Sequence, residues 1–161
     1  MNEERELLNL LQSNCRYTDE EMCRLLGKEQ GDLKGMIAKL EEDKVILAYK
    51  AIVDWDKVDT ESVSALIELK ITPQKDEGFD KVAKKIYNYP EVESLYLMSG
   101  GYDLCVQLKG RTMKEVAYFV ARKLAVMDEV VSTATHFVLK KYKDTGVVFE
   151  SATADQRGTE A

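Results

Sequence analysis

The stretch LYLMSGGYDLCVQLKG, Leu95 to Gly110, decides the fold. Apolar residues flank Ser99-Gly100-Gly101 on both sides, which predicts two strands joined by a sharp turn. Glycine tolerates the positive φ that such a turn demands. A hairpin therefore accounts for the two glycines. It does not account for Tyr102 and the lone carboxylate of Asp103 directly behind the turn.

The rest of the C-terminal part fits around this hairpin. SVSALIELKI (62–71) puts Val63, Ala65, Ile67, Leu69 and Ile71 on one face, the period of a strand, and Pro73 ends it. Phe79, Val82, Ala83, Ile86 and Tyr87 recur at helical spacing, and Pro90 stops that helix. Met113, Val116, Ala117, Val120 and Leu124 predict a second amphipathic helix, and VVSTATHFVLKKY (130–142) a last strand. The order βαββαβ is the ferredoxin-like unit, with two helices on one face of a four-stranded antiparallel sheet. Leu66, Leu95 or its neighbours, and Val106 or Leu108 predict apolar residues on both faces. The uncovered face is then expected to meet another copy of the chain. Val147-Val148-Phe149 predicts an edge strand, and SATADQRGTEA (151–161) a disordered tail.

Before residue 50 the pattern is helical. Leu7, Leu8, Leu10 and Leu11 mark a first helix. Thr18-Asp19-Glu20-Glu21 is a capping box. It opens a helix carrying Met22, Leu25 and Leu26 that stops at Gly27. Leu33, Met36, Ile37 and Leu40 form the stripe of a third helix. Three short helices with a tight turn between the last two describe a helix-turn-helix. AYKAIVD (48–54) reads as extended. The fold class is thus α+β. An N-terminal (winged) helix-turn-helix at 1–47 is followed by a connector at 48–61, a βαββαβ ferredoxin-like domain at 62–150 and the tail at 151–161.

Composition excludes several function classes. The chain has 161 residues, of which 45% are apolar and 32% charged, as in a globular protein. No apolar run approaches the roughly 20 residues of a membrane helix. The start, MNEERELLNLL, is acidic where a signal peptide is basic, so a cytoplasmic protein is expected. Cys15, Cys23 and Cys105 lack CxxC spacing and read as reduced, buried thiols. One histidine and scattered cysteines give no metal-ligand set. Neither GxxxxGK[ST] nor GxGxxG occurs. His136 can be paired on paper with Thr135 or Cys105, but a lone strand histidine has a simpler structural or interface reading. Glu41-Glu42 and Asp19-Glu20-Glu21 belong to helix surfaces and caps. No enzyme, cofactor or metal is expected. Tyr49 and Trp55 are expected to pack on the sheet domain or on a partner chain.

Four stretches, LLNLLQSNCRYTDEEMCRLLG, IAKLEEDKVILAYKAIVD, SGGYDLCVQLKG and VVSTATHFVLKKYK, resemble the Lrp/AsnC family of bacterial and archaeal transcription regulators. They come in the family's order and together cover most of the chain. The resemblance implies an N-terminal module that binds DNA. It implies a C-terminal domain that dimerises through its sheet and assembles further, often to octamers. It also implies an amino acid or related metabolite held between dimers near the glycine turn. The effector role then falls on Gly100, Gly101, Tyr102 and Asp103, with Thr133 and Thr135 completing a polar pocket and Met98 meeting the effector side chain. The chemistry suits a zwitterion: main chain bared by glycine can hold a carboxylate, and Asp103 an ammonium. The same residues also admit a structural reading, in which Gly-Gly serves the hairpin and Asp103 caps backbone donors or pairs with a lysine across a dimer.

The DNA-binding module departs from its family. Residues 1–50 hold eight basic residues against eleven acidic ones. Phosphate contacts depend on cations that release counterions. Glu29 stands where a serine usually opens the recognition helix, and Gly35, Met36 and Ala38 where arginines are common. Gly35 also costs the helix about 1 kcal/mol relative to alanine. Lys28, Lys34 and Lys39 remain to touch phosphate, and Gln30 to read adenine. Repetition of the module in a dimer or octamer raises weak affinity by avidity. Two functions compete: a DNA-binding regulator responding to an amino acid, and a metabolite-sensing oligomer with a degenerate helix-turn-helix.

Overall fold

The computed structural model describes residues 2–58, 62–73 and 78–149. The expected tail at 151–161 and residues 59–61 of the connector lie outside the described residues. The chain divides into two compact units, Met1–Ala51 and Ile52–Ala161.

In the first unit, α1 (Asn2–Ser13), α2 (Asp19–Leu26) and α3 (Gln30–Glu42) enclose a small core of Leu7, Met22, Leu33 and Leu40. The capping box forms in full. The Glu21 N–H donates to the Thr18 hydroxyl at 3.2 Å, and the Thr18 N–H donates to the Glu21 carboxylate at 2.8 Å. Gly27 ends α2 at φ 63°, where a side chain would be strained. Glu29 makes no side-chain cap on α3, so that helix starts without the bond a serine would supply. Beyond α3, the N–H groups of Val45 and Ile46 both return to the Leu40 carbonyl, at 2.9 and 3.0 Å, and Ile46 joins the core. Residues 47–54 form no strand within the chain. Within the first unit the Tyr49 hydroxyl donates to Glu41 at 3.0 Å.

The second unit is built on β1 (Val63–Ile71), α4 (Asp80–Tyr87), β2 (Val92–Leu97), β3 (Leu104–Gly110), α5 (Met113–Phe119) and β4 (Val130–Phe137). The sheet order is β2-β3-β1-β4 with every neighbour antiparallel. Ala65, Ile67, Leu69 and Ile71 lie under the helices with Val82, Ile86, Val116, Phe119 and Leu124. Burying each large aliphatic side chain stabilises the unit by about 1.5–3 kcal/mol. A π turn over Val120–Leu124 extends α5, closed by the Ala125 N–H on the Val120 carbonyl at 2.8 Å, and keeps Val120 and Leu124 in the core.

Two expectations about the sheet need correction. Leu95, Val106 and Leu108 share the helix side with Ile67 and Ala65, because directly paired residues face the same way. The open face carries Leu66 among Glu68, Tyr96, Cys105, Gln107, Ala134 and His136, so it is mixed rather than apolar. Val147-Val148 joins no edge of this sheet. Thr145 and Gly146, both at positive φ, turn the chain straight back, so β5 (Lys143–Asp144) pairs with β6 (Val147–Val148) in a separate hairpin. The thiols differ too: Cys105 is buried, but Cys15, in the turn after α1, is exposed. Trp55 does pack on the sheet domain, with the Lys109 ammonium 4.0 Å from its ring centre.

One ion pair links this packing to pH. Lys85 of α4 donates to the buried carboxylate of Glu129 at 2.8 Å, and that bond holds the Glu129 carboxyl below the usual glutamate range. A depressed folded pKa gives stability that is present above the unfolded value and is lost as pH falls through the folded one. Glu129→Gln should therefore lower stability at neutral pH by about 1–2 kcal/mol. It should also flatten the acid limb of a urea-denaturation series below about pH 4.5. An acid limb as steep as the parent's would remove Glu129 from this role.

Candidate effector site and DNA-reading surface

The β2–β3 connection spans residues 98–103. The Met98 N–H donates to the Asp103 carbonyl at 2.8 Å and closes it. Gly100 has φ 156°, which L side chains rarely adopt, and Gly101 has an ordinary φ. A Cβ built on Gly101 meets nothing within 4 Å. Neither turn geometry nor crowding within the chain therefore requires glycine at 101.

Asp103 is fixed by β1. Its N–H donates to the Leu69 carbonyl at 2.9 Å, and its Oδ2 accepts from the Ile71 N–H at 2.7 Å. The β1–β4 register shifts between Lys70 and Ile71. The carboxylate thus holds a backbone donor where the ladder is irregular. A strand with clean alternation, such as SALIELKI, carries no sign of that irregularity, so sequence reasoning missed Ile71 as its partner.

Tyr102 projects to the open face of the sheet. Partial burial, then the neighbouring Cys105 thiol and Glu68 carboxylate, raise the pKa of its phenol. On the same face His136 Nε2 lies 3.3 Å from Glu68. Thr133 and Thr135 stand opposite Leu69 and Ile67, which places them on the helix side of edge strand β4. Thr133 is two strand spacings from Leu104, roughly 10 Å. Within one protomer, then, Met98, Gly100, Gly101, Tyr102 and Asp103 cluster, while the two threonines lie across β1. Beside the turn, a cleft of about 280 Å³ opens between α4 and the β2 edge, lined chiefly by Phe79, Ala83, Tyr87, Leu95, Leu97 and Leu104. The helical spacing of Phe79, Ala83 and Tyr87 was the signal for it, but their distance from the glycines in sequence concealed the proximity.

On the helix-turn-helix, three of the four candidate DNA contacts already hold partners. Lys28 donates to Glu3 at 2.8 Å; that bond raises the lysine's pKa and lowers the glutamate's. Lys34 lies 3.3 Å from Asp19, and the Gln30 amide reaches the same Asp19 oxygen at 3.5 Å. Lys39, exposed in the last turn of α3, has no ion pair among the described residues. No helix among the described residues is long and apolar enough to cross a membrane.

A three-helix module of the DNA-reading type, followed by a ferredoxin-like domain with a glycine turn, defines a helix-turn-helix regulator with a small-molecule domain. Comparison with known proteins makes this specific. Residues 64–148 match the Lrp/AsnC ligand binding domain. The uncharacterized HTH-type transcriptional regulator YugG of Bacillus subtilis is 50% identical over 155 residues, covering 96% of this chain and 93% of that one. The solved L-Met complex of Transcriptional Regulator NMB0573 from Neisseria meningitidis has TM-score 0.74 at 24% identity, covering 91% and 95% of the two chains. AsnC of E. coli has TM-score 0.68 at 20% identity, covering 88% and 93%. The chain belongs to the Lrp/AsnC family of transcriptional regulators.

Proposed function

We propose that this chain is a cytoplasmic, DNA-binding regulator whose assembly responds to an amino acid or related metabolite held between subunits at the 98–103 turn. The observation that carries the reading is Gly101, a glycine that nothing within its own chain requires, beside the anchored carboxylate of Asp103. Bared main chain leaves room for a ligand or a second protomer to come close. Asp103 Oδ2 serves the Ile71 N–H, and the remaining carboxylate oxygen is the group offered to an ammonium. The cleft beside Leu97 and Leu104, which also carries Asp80 and Glu93, is the space nearest the turn for an effector side chain. Thr133 and Thr135 join such a site only if a neighbouring protomer presents them. In this reading the open sheet face is the surface offered to a second protomer, with dimer and octamer the two assemblies to be distinguished.

The mechanism is a population shift. An effector moves the assembly equilibrium only by its differential affinity for two assemblies. Binding and assembly are then coupled reciprocally. No step calls for a cofactor or a catalytic residue. The related regulator solved with L-Met makes methionine a rational first ligand to try.

A second reading is favoured by the engaged state of Lys28, Gln30 and Lys34: a metabolite sensor whose helix-turn-helix no longer binds DNA. A mobility shift with the DNA upstream of its own gene, run across a salt series, separates the two. The regulator gives a shift that weakens as salt rises. Absence of any shift at low salt, with or without amino acids, would contradict it.

A further inference from the structure

We propose that Asp19 is an intramolecular competitor for DNA phosphate, which holds Lys34 and Gln30 of α3 until DNA displaces it. The inference deepens the DNA-binding reading and rests on it. Gln30 and Lys34 are one helical turn apart and project to the same side of α3. A backbone contact and a base contact both need that side. The single oxygen Asp19 Oδ2 faces the two together, 3.3 Å from the Lys34 ammonium and 3.5 Å from the Gln30 amide. A carboxylate offers those donors the same chemistry as a phosphate oxygen: an anionic acceptor at hydrogen-bond distance. Asp19 is not needed to cap its helix, because Thr18 and Glu21 already complete the capping box. It is the first residue of α2, so its charge is favourable to that helix but repels a phosphate brought to the same place.

The exchange is feasible. The pair is solvent-exposed, with side-chain accessibilities of 61% for Lys34 and 37% for Asp19, and such pairs are weakly held. DNA can therefore replace the carboxylate, but the exchange lowers net affinity and discriminates against duplexes with few other contacts. The lock has a second effect. A lysine already paired within the protein contributes less counterion release when it meets phosphate.

The test uses the full chain and fluorescence anisotropy with a labelled duplex from upstream of its own gene, across a salt series. Asp19→Asn keeps a polar group at the position and removes the charge. Glu4→Gln, the same charge change on α1, controls for net charge. Asp19→Asn combined with Lys34→Gln tests whether the gain runs through Lys34. Asp19→Asn should bind roughly threefold to tenfold tighter at low salt, with a salt slope steeper by about one per module. Glu4→Gln should change little, and the combined variant should lose the gain. Unchanged affinity for Asp19→Asn, a gain matched by Glu4→Gln, or a gain that survives Lys34→Gln would each overturn the lock while leaving DNA binding in place. If neither the parent nor Asp19→Asn binds, the DNA-binding reading falls, and the lock with it.

Discussion

Lys34→Glu combined with Lys39→Glu should abolish the salt-sensitive mobility shift and leave the assembly mass unchanged. Each substitution replaces a cation that can face phosphate by an anion that repels it. A module with eight basic and eleven acidic residues has few other cations to compensate. The proposed dimer would carry the change twice. Affinity should fall on the order of a hundredfold or more, with the salt slope reduced by about one per module, chiefly through Lys39, because Lys34 is already paired with Asp19. Both side chains are exposed, so folding should change by no more than about 0.5 kcal/mol. A shift equal to the parent's would remove these lysines from the interface.

The second large effect concerns Asp103, whose two roles can be separated. Asp103→Ala removes the acceptor of the Ile71 N–H, a partly buried bond of 2.7 Å. Leaving such a donor unsatisfied costs about 1–3 kcal/mol. For a domain of this size that lowers Tm by roughly 4–8 °C per kcal/mol. Asp103→Asn keeps an oxygen for Ile71 but loses the charge offered to an ammonium. It should melt near the parent and show no thermal shift with any of the twenty amino acids. Asp103→Ala should fail both ways. If Asp103→Asn responds to amino acids as the parent does, the carboxylate has a structural role only.

Most of the fold was legible in the sequence because its signals are local. Strand period in SVSALIELKI, the Thr18–Glu21 box and Gly27 each depend on neighbours within a few residues. The open face was misjudged for the opposite reason. Which face Leu95, Val106 and Leu108 occupy depends on register across strands, and a one-residue offset reverses the answer. Val147-Val148 was read as an edge strand because its apolar character was visible and its turn partner was not: Thr145 adopts positive φ without being glycine or asparagine. In the candidate site the cluster from Met98 to Asp103 was readable as a contiguous stretch. The Ile71 bond, the α4 cleft and the Asp19 contacts link residues distant in sequence, and no period records them.

The most direct test is the light-scattering mass of the full chain with and without a pool of the twenty amino acids. The proposed coupling of effector to assembly expects the mass to change when the pool is added, toward whichever assembly binds the effector better. An identical mass in both samples, across a range of protein concentrations, would contradict it.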